Sequence, residues 1–198
     1  MMWTRRFLLV TLLLALTACQ NGVAPDYYRL DALESLGETA PGPSLGIMPI
    51  EIPEYLSRSG LVRDAGNLTI EVSDTERWAE PLDSGISRVM AQNLARAIPT
   101  NDLRPYPWNS KRRPTVSLRL KITEMRALPG RATLTAETQL QLSDGAFTSE
   151  LISLETNLSS PASGSDIAQA YSQLLADLSV RLGENIRASA ISGDGAAN

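Results

Sequence analysis

The stretch VSLRLKI at residues 116–122 alternates apolar and polar side chains without a break. Successive side chains of a strand point to opposite faces, so this alternation predicts a half-buried β-strand with one wet face. Similar alternation runs from Leu134 to Leu142 and from Ile152 to Leu158. Asp144-Gly145 is a hairpin signal between the last two strands, and Pro129-Gly130 turns the first pair. The middle of the chain is therefore predicted to be an antiparallel meander.

Two amphipathic helices flank this meander in the sequence. The first begins near Pro81, which suits a first helical turn, and ends at Pro99. Ser163 and Asp166 form a variant of the capping box that opens the second helix. Apolar residues at helical spacing predict the buried stripe of that second helix: Ile167, Tyr171, Leu174, Leu175, Leu178, Leu182 and Ile186.

The N-terminal half predicts short strands. One begins at Tyr27, and a second, central strand covers residues 45–50. A hairpin follows, with a turn at 64–67 and a strand at 68–72 in which Leu68, Ile70 and Val72 share one face. The proline-rich segment 100–114 is irregular, with part of it an edge strand. The fold class is thus α/β of an α+β type: a single domain with a mixed, largely antiparallel sheet and two amphipathic helices packed on one face.

The N-terminus has the order of a secretory signal peptide, with Arg5 and Arg6 before an apolar run that ends at Leu16-Thr17-Ala18-Cys19. Its end resembles the bacterial lipobox, which implies cleavage before Cys19 and covalent acyl groups on that residue. An ordinary signal peptide is the alternative. The predicted divisions are a signal peptide (1–18), a lipidated cysteine and short tether (19–26), one domain (27–191) and a disordered tail (192–198).

Composition narrows the function. The chain has no histidine and one cysteine, which removes the usual general base, the Ser-His and Cys-His pairs and the commonest zinc ligand. Acidic residues outnumber basic ones, 22 to 18, so no broad charge favours nucleic acid. No Ser-x-x-Lys motif, Walker A motif or metal-spaced cluster is present in the sequence. We therefore predict a protein that is not an enzyme, with no metal and no cofactor beyond the acyl groups, and keep a carboxylate-dependent hydrolase as an alternative.

Eight residues are candidates for partner binding, because they combine aromatic and cationic side chains in predicted loops. For Tyr55 and Arg58 the alternative is a loop fixed by arginine–carbonyl bonds, and for Trp78 it is a hydrophobic staple over the helix start. The others lie between residues 106 and 113, where the alternative is a solvated loop and the sharper hypothesis is contact with anionic headgroups or an acidic partner: Tyr106, Trp108, Lys111, Arg112 and Arg113.

Three short motifs carry a resemblance to a known family. They are Tyr27-Tyr28-x-Leu30, then Tyr55-Leu56-x-Arg58 with Leu61-Val62, and then the run from Arg77-Trp78 to Pro81-Leu82. In this order behind a lipobox, they resemble the PqiC/YmbA family of ABC-transport auxiliary lipoproteins, and the resemblance covers essentially the whole mature chain.

The resemblance implies a lipoprotein on the periplasmic face of the outer membrane. It implies a periplasmic MCE-domain protein as partner, which would connect the chain to an inner-membrane permease and ABC complex. It also implies a role in intermembrane lipid transport and envelope integrity. Gln20 after Cys19 favours the outer membrane under the enteric sorting rule. A homo-oligomeric ring is a further expectation. The alternative function is a lipoprotein that regulates a cell-wall synthase or assembles an envelope or secretion complex.

Overall fold

The computed structural model describes residues 23–34, 42–109, 111–143 and 145–194. The predicted signal peptide and Cys19 lie outside the described residues. The chain forms, in order, β1 (Asp26–Tyr28), β2 (Leu45–Ile47), β3 (Gly60–Gly66), β4 (Thr69–Trp78), α1 (Leu82–Ala97), β5 (Leu103–Pro105), β6 (Val116–Leu128), β7 (Arg131–Leu142), β8 (Phe147–Asn157) and α2 (Gly164–Asp194).

The larger sheet has five strands in the order β5-β2-β6-β7-β8. The three long strands run antiparallel, which confirms the predicted meander, and β2 lies parallel to both of its neighbours. β2 is therefore an interior strand, as predicted, and β5 is the predicted edge strand. The sheet is mixed and largely antiparallel, as its alternating sequence indicates.

A bulge lies within β6, where the register with β7 shifts between Ile122 and Glu124. Before the shift the buried positions run from Val116 to Ile122, and after it Met125 and Ala127 are buried. A bulge places one extra residue in one strand and so changes which face the next side chains take. It lets β6 continue to Leu128 with its apolar side chains still in the core.

The remaining strands form a second sheet of three strands in the order β1-β4-β3. The alternating strand pattern predicts a single sheet, so this division is a correction. β3 and β4 form the predicted hairpin, while β1 pairs in parallel with the end of β4. Short, separate apolar runs in the N-terminal half do not encode which strand pairs with which, because those pairings are long-range.

Both helices pack their apolar stripes against the larger sheet, as predicted. They run side by side in the same direction, since Ser179 of α2 meets Met90 of α1 and the Arg187 guanidinium donates to the Ala97 carbonyl at 2.6 Å. Ser163 and Asp166 bond reciprocally, at 2.9 and 3.2 Å, which confirms the capping box. α2 continues to Asp194, so residues 192–194, predicted to belong to a disordered tail, are helical.

One core fills the space between the sheets and the helices. The stripe of α2 from Ile167 to Ile186 is buried in it, together with the inward face of β6 and β7. Tyr171 stacks on Trp78 at a centroid distance of 6.1 Å, which joins α2 to the smaller sheet. This contact connects the two sheets through the helix layer and makes the domain one unit.

Candidate functional site

The domain has two opposite ends along β6. At one end, β1 begins beside Glu76, the Gly164 amide at the start of α2 donates to the Glu76 carboxylate at 2.8 Å, and the Leu158 amide donates to the Gly130 carbonyl. We call this the tether end, because the chain that leads from Cys19 enters here. The start of β6 lies about ten residues away, on the order of 33 Å along the strand, and marks the distal end.

Five of the predicted binding residues lie together at the distal end, in the loop that joins β5 to β6. Tyr106 is 47% exposed and packs edge-on against Trp108, with ring centroids 5.2 Å apart. Side chains of Lys111, Arg112 and Arg113 are exposed in the same loop. We call these five residues, with the exposed Leu103 of β5, the distal surface. Aromatic and cationic side chains on one loop are suited to an acidic or anionic partner.

Arg104 holds this loop in place. Its guanidinium donates to both carboxylate oxygens of Asp102, at 3.1 and 2.6 Å, and to the Arg113 carbonyl at 2.9 Å. The Trp108 indole donates in turn to the Arg104 carbonyl at 3.0 Å. These bonds from Arg104 hold the pKa of Asp102 below its usual range. The backbone that presents the three distal cations is therefore fixed by side-chain contacts, although the segment has no regular secondary structure.

Among the distal cations Lys111, Arg112 and Arg113, Arg112 acts on a carboxylate only at longer range, as the last cause of the lowered pKa of Asp102. Within the part of the chain that the structure describes, no carboxylate lies within ion-pair distance of Lys111, Arg112 or Arg113, whereas Arg104 is paired with Asp102. Exposed unpaired cations attract anionic groups, and the attraction weakens with salt. The predicted interaction with an acidic surface thus keeps its physical basis, and it stays a prediction.

A groove of about 610 Å³ runs beside the distal surface, between α1 and the β2 and β5 edge of the sheet. Its sheet side is apolar, with Ile47, Met48 and Leu103, and its helix side is polar, with Ser84, Ser87 and Arg88. An open, two-sided groove of this kind fits an extended or helical segment of a partner better than a small substrate, since small-molecule sites enclose most of their ligand.

Tyr55 and Arg58 lie apart from the distal surface. The Tyr55 hydroxyl donates to the Met125 carbonyl at 3.2 Å and accepts from the Met125 amide at 3.3 Å, which ties a short 3₁₀ turn (Glu54–Leu56) to the bulged part of β6. Burial raises the pKa of this phenol. Tyr55 therefore has a structural role, whereas Arg58 is exposed and remains a candidate contact.

Trp78 is not a surface residue. It is 7% exposed and stacks on the buried Tyr171, which gives its ring a packing role and leaves the predicted partner contact without structural support. A tryptophan followed by polar residues and a helix start resembles a loop residue in the sequence. In the structure β4 ends at Trp78, and the helix layer covers its ring.

The tether end exposes three apolar side chains that are not among the predicted binding residues. Leu68 is fully exposed at the turn of the β3–β4 hairpin, and Ile70 and Val72 are 45% and 41% exposed beside it. We call residues Gly66–Val72 the hairpin tip. The alternation in the sequence predicted one apolar face here, and only the folded structure shows that its side chains stay exposed.

Other site types find no support in the described residues. No group of three or more acidic or cysteine side chains there has the spacing to hold a metal ion. Among the described helices, none combines the length and apolar character needed to cross a membrane.

Comparison with known proteins defines the class. The family model for the ABC-type transport auxiliary lipoprotein component matches residues 28–183, and the chain belongs to this family. Among named relatives, it is 23% identical over 99 residues to the intermembrane transport lipoprotein PqiC of Escherichia coli (strain K12) and to that of Shigella flexneri. That match covers 48% of this chain and 53% of each relative, so the chain spans about half the length of the curated relatives it matches.

Solved structures share the fold. One, described only as an uncharacterized protein, matches with a TM-score of 0.69 and 19% identity, over 83% of this chain and 99% of that one. A protein of the DUF330 family from Xanthomonas campestris matches with a TM-score of 0.61 and 13% identity, over 80% and 92%. At these identities the likeness establishes the fold alone. The expected family is confirmed by the family model and the PqiC relatives.

Proposed function

We propose that this chain is the outer-membrane lipoprotein of an intermembrane lipid transport system, and that it docks a periplasmic MCE-domain protein at the membrane. The observation that carries the proposal is the family match over residues 28–183, which describes an auxiliary component of ABC-type transport. The partner and the outer-membrane location are inferences that go further than that description. Gln20 after the predicted lipidated cysteine supports the outer membrane.

The structure supports a docking role through its surfaces. The distal surface presents three cations that form no close ion pair with a described carboxylate, and it lies next to a groove with one apolar and one polar side. A rim of charge beside an apolar strip is typical of protein interfaces, where charge guides the encounter and apolar contact holds the complex. Since this end lies opposite the tether, it would face into the periplasm and the approaching partner.

The test is co-purification from the bacterium that makes the protein. Envelopes are dissolved in mild detergent, the lipidated protein is captured, and bound proteins are identified by mass spectrometry. We expect an MCE-domain protein and its permease to be enriched over a control with serine at the distal cations Lys111, Arg112 and Arg113. Capture of a cell-wall synthase or secretion component in their place would contradict the proposal.

The homo-oligomeric ring stays a prediction. Native mass spectrometry of the lipidated protein in detergent measures the subunit number directly, and a monomer at cellular concentration would contradict it.

A further inference from the structure

We propose that the hairpin tip is a second membrane contact, which inserts into the surface of the bilayer that holds the acyl chains of Cys19. This inference rests on the lipid anchor and not on the identity of the transport partner. It concerns a surface with no assigned role, formed by the turn of β3 and β4 and the exposed side chains of Leu68, Ile70 and Val72.

The tether leaves the domain in the direction of the hairpin tip. β1 runs parallel to β4, with Asp26 opposite Glu76. The residues before Asp26 therefore leave β1 toward the start of β4, which is the hairpin tip. Seven residues separate Asp26 from Cys19, a reach of roughly 23–25 Å when extended. From Glu76 back to Leu68 is a similar distance along β4, about 26 Å.

These two lengths bring the anchor and the tip to the same level of the molecule. A membrane that holds Cys19 at the end of an extended tether would also lie at Leu68. Val23, on the described part of the tether, is 79% exposed and adds apolar surface on the same path. The tip is therefore placed where a lipid surface is present, rather than where a periplasmic partner approaches.

The backbone of the tip has an unusual conformation. The turn residues Gly66, Asn67 and Leu68 have φ angles of +79°, +51° and +63°. This left-handed region suits glycine and asparagine, but leucine is uncommon there because its side chain crowds the backbone. A fully exposed leucine in that conformation has two unfavourable contributions in water, backbone strain and the exposure of apolar surface. Burial of the side chain in an apolar phase would remove the second contribution.

The charges and the apolar surface around the tip also suit a membrane contact. The carboxylate of Asp64, the charged group on β3 opposite Ile70, is paired with Arg126 and so is neutralised within the fold. The apolar face continues from the tip into a cleft of about 400 Å³ that Tyr55, Val62 and Met125 line. The tip has one charged side chain, the exposed Glu71, which lies across from Arg63 of β3 and on the face opposite Ile70 and Val72. Since the tip has no basic side chain to attract anionic lipid, its membrane contact would be made by the apolar face, with Glu71 left in water.

The test uses the lipidated protein in vesicles of three parts phosphatidylethanolamine to one part phosphatidylglycerol. The sulfur of Cys19 is in a thioether, so Leu68→Cys supplies the single free thiol for an environment-sensitive fluorophore. Phe147→Cys is the matched control, because Phe147 is also apolar and 60% exposed but lies at the distal end. Circular dichroism checks that both variants fold like the parent.

We expect the label at Leu68 to shift to shorter wavelength and to lose about half or more of its emission when nitroxide lipids are present, because an interfacial apolar element lies about 5–10 Å deep. The label at Phe147 should show neither change. Raising NaCl from about 0.1 M to about 0.5 M should not weaken the Leu68 signal, because salt screens only the repulsion between Glu71 and the anionic lipid.

Equal, unquenched emission at both positions would overturn the proposal. So would a shift at Leu68 that occurs only after an MCE-domain protein is added and without quenching by nitroxide lipid, which would make the tip a protein contact. The first measurement is made before any transport partner is added, so failure of the docking role leaves its outcome unchanged.

Discussion

The two ends of the domain hold their exposed residues in different ways. At the distal end the loop 106–113 lacks regular structure, yet Arg104 fixes it and Trp108 packs against the sheet. At the tether end the hairpin has regular strands, yet Leu68 at its tip is fully exposed. The difference teaches that regular secondary structure and a fixed position are separate properties. The distal surface is suited to specific docking, and the hairpin tip to a fluid, non-specific surface.

The largest expected effect tests how closely the distal end is packed. A Cβ at Gly46 of β2 would lie 2.7 Å from atoms of both Trp108 and Pro114. Gly46→Ala should therefore displace the loop and lower the free energy of unfolding by about 3 kcal/mol. Urea denaturation followed by tryptophan fluorescence measures the change.

The matched substitution at the tether end is Gly66→Ala. No atom lies within 4 Å of a Cβ at Gly66, so only the positive φ opposes it, and the expected cost is about 1 kcal/mol. Equal costs at Gly46 and Gly66 would contradict the contrast between a packed and an open end.

The next effect concerns what holds the hairpin to the larger sheet. Asp64 accepts from the Arg126 guanidinium and, at 2.8 Å, from the Gly66 amide. Asp64→Asn should lower the free energy of unfolding by about 2 kcal/mol, since it weakens charge-assisted hydrogen bonds of a mostly buried group. The tip should also become more open to amide exchange, while exchange in the distal loop stays unchanged.

The same carboxylate predicts a pH dependence. The Gly66 amide and then Arg126 lower the pKa of Asp64 below its usual range. A carboxylate with a depressed folded-state pKa contributes stability that is complete above its unfolded-state pKa, about 4, and is lost as pH falls through the folded-state value. The parent should thus lose stability below about pH 4, and Asp64→Asn should lose less over the same range.

Charge at the distal end gives the third effect. Serine at Lys111, Arg112 and Arg113 together should weaken binding to the partner about tenfold and flatten its salt dependence. The control removes equal charge from the wet face of the sheet, at Arg119, Lys121 and Arg131, and should change binding little. Isothermal titration at two salt concentrations measures both, and equal losses in the two variants would assign the effect to net charge alone.

The smallest effect separates structure from recognition at Tyr55. Tyr55→Phe removes two hydrogen bonds to the Met125 backbone and should lower the free energy of unfolding by about 1 kcal/mol. Partner affinity should stay at the parent value. A loss of affinity without a loss of stability would return Tyr55 to the binding surface.

Local pattern was enough to predict much of this fold. Alternation from Val116 to Ile122 predicted β6, and helical spacing predicted both buried stripes, because side-chain period follows directly from backbone geometry. The alternation breaks at Thr123-Glu124, where the structure has a bulge, so the sequence pattern does not predict the part of β6 that follows Thr123. The separate β1-β4-β3 sheet was missed because strand pairing depends on long-range contacts.

The site was predicted less completely than the fold. The loop from Tyr106 to Arg113 was identified because cations and aromatic residues are dense there, and its residues do lie together. Trp78 and Leu68 show the limit from both sides. Trp78 is covered by Tyr171, whereas Leu68 is fully exposed. Whether an apolar side chain is covered depends on elements far away in the sequence.

The central claim is that the hairpin tip faces the membrane and the distal surface faces the partner. Photo-crosslinking in living cells tests it most directly, with benzoylphenylalanine in place of Leu68 in one strain and of Tyr106 in another. We predict that the Tyr106 position crosslinks to an MCE-domain protein and that the Leu68 position crosslinks to lipid. Crosslinks to that protein from Leu68, with none from Tyr106, would contradict the account.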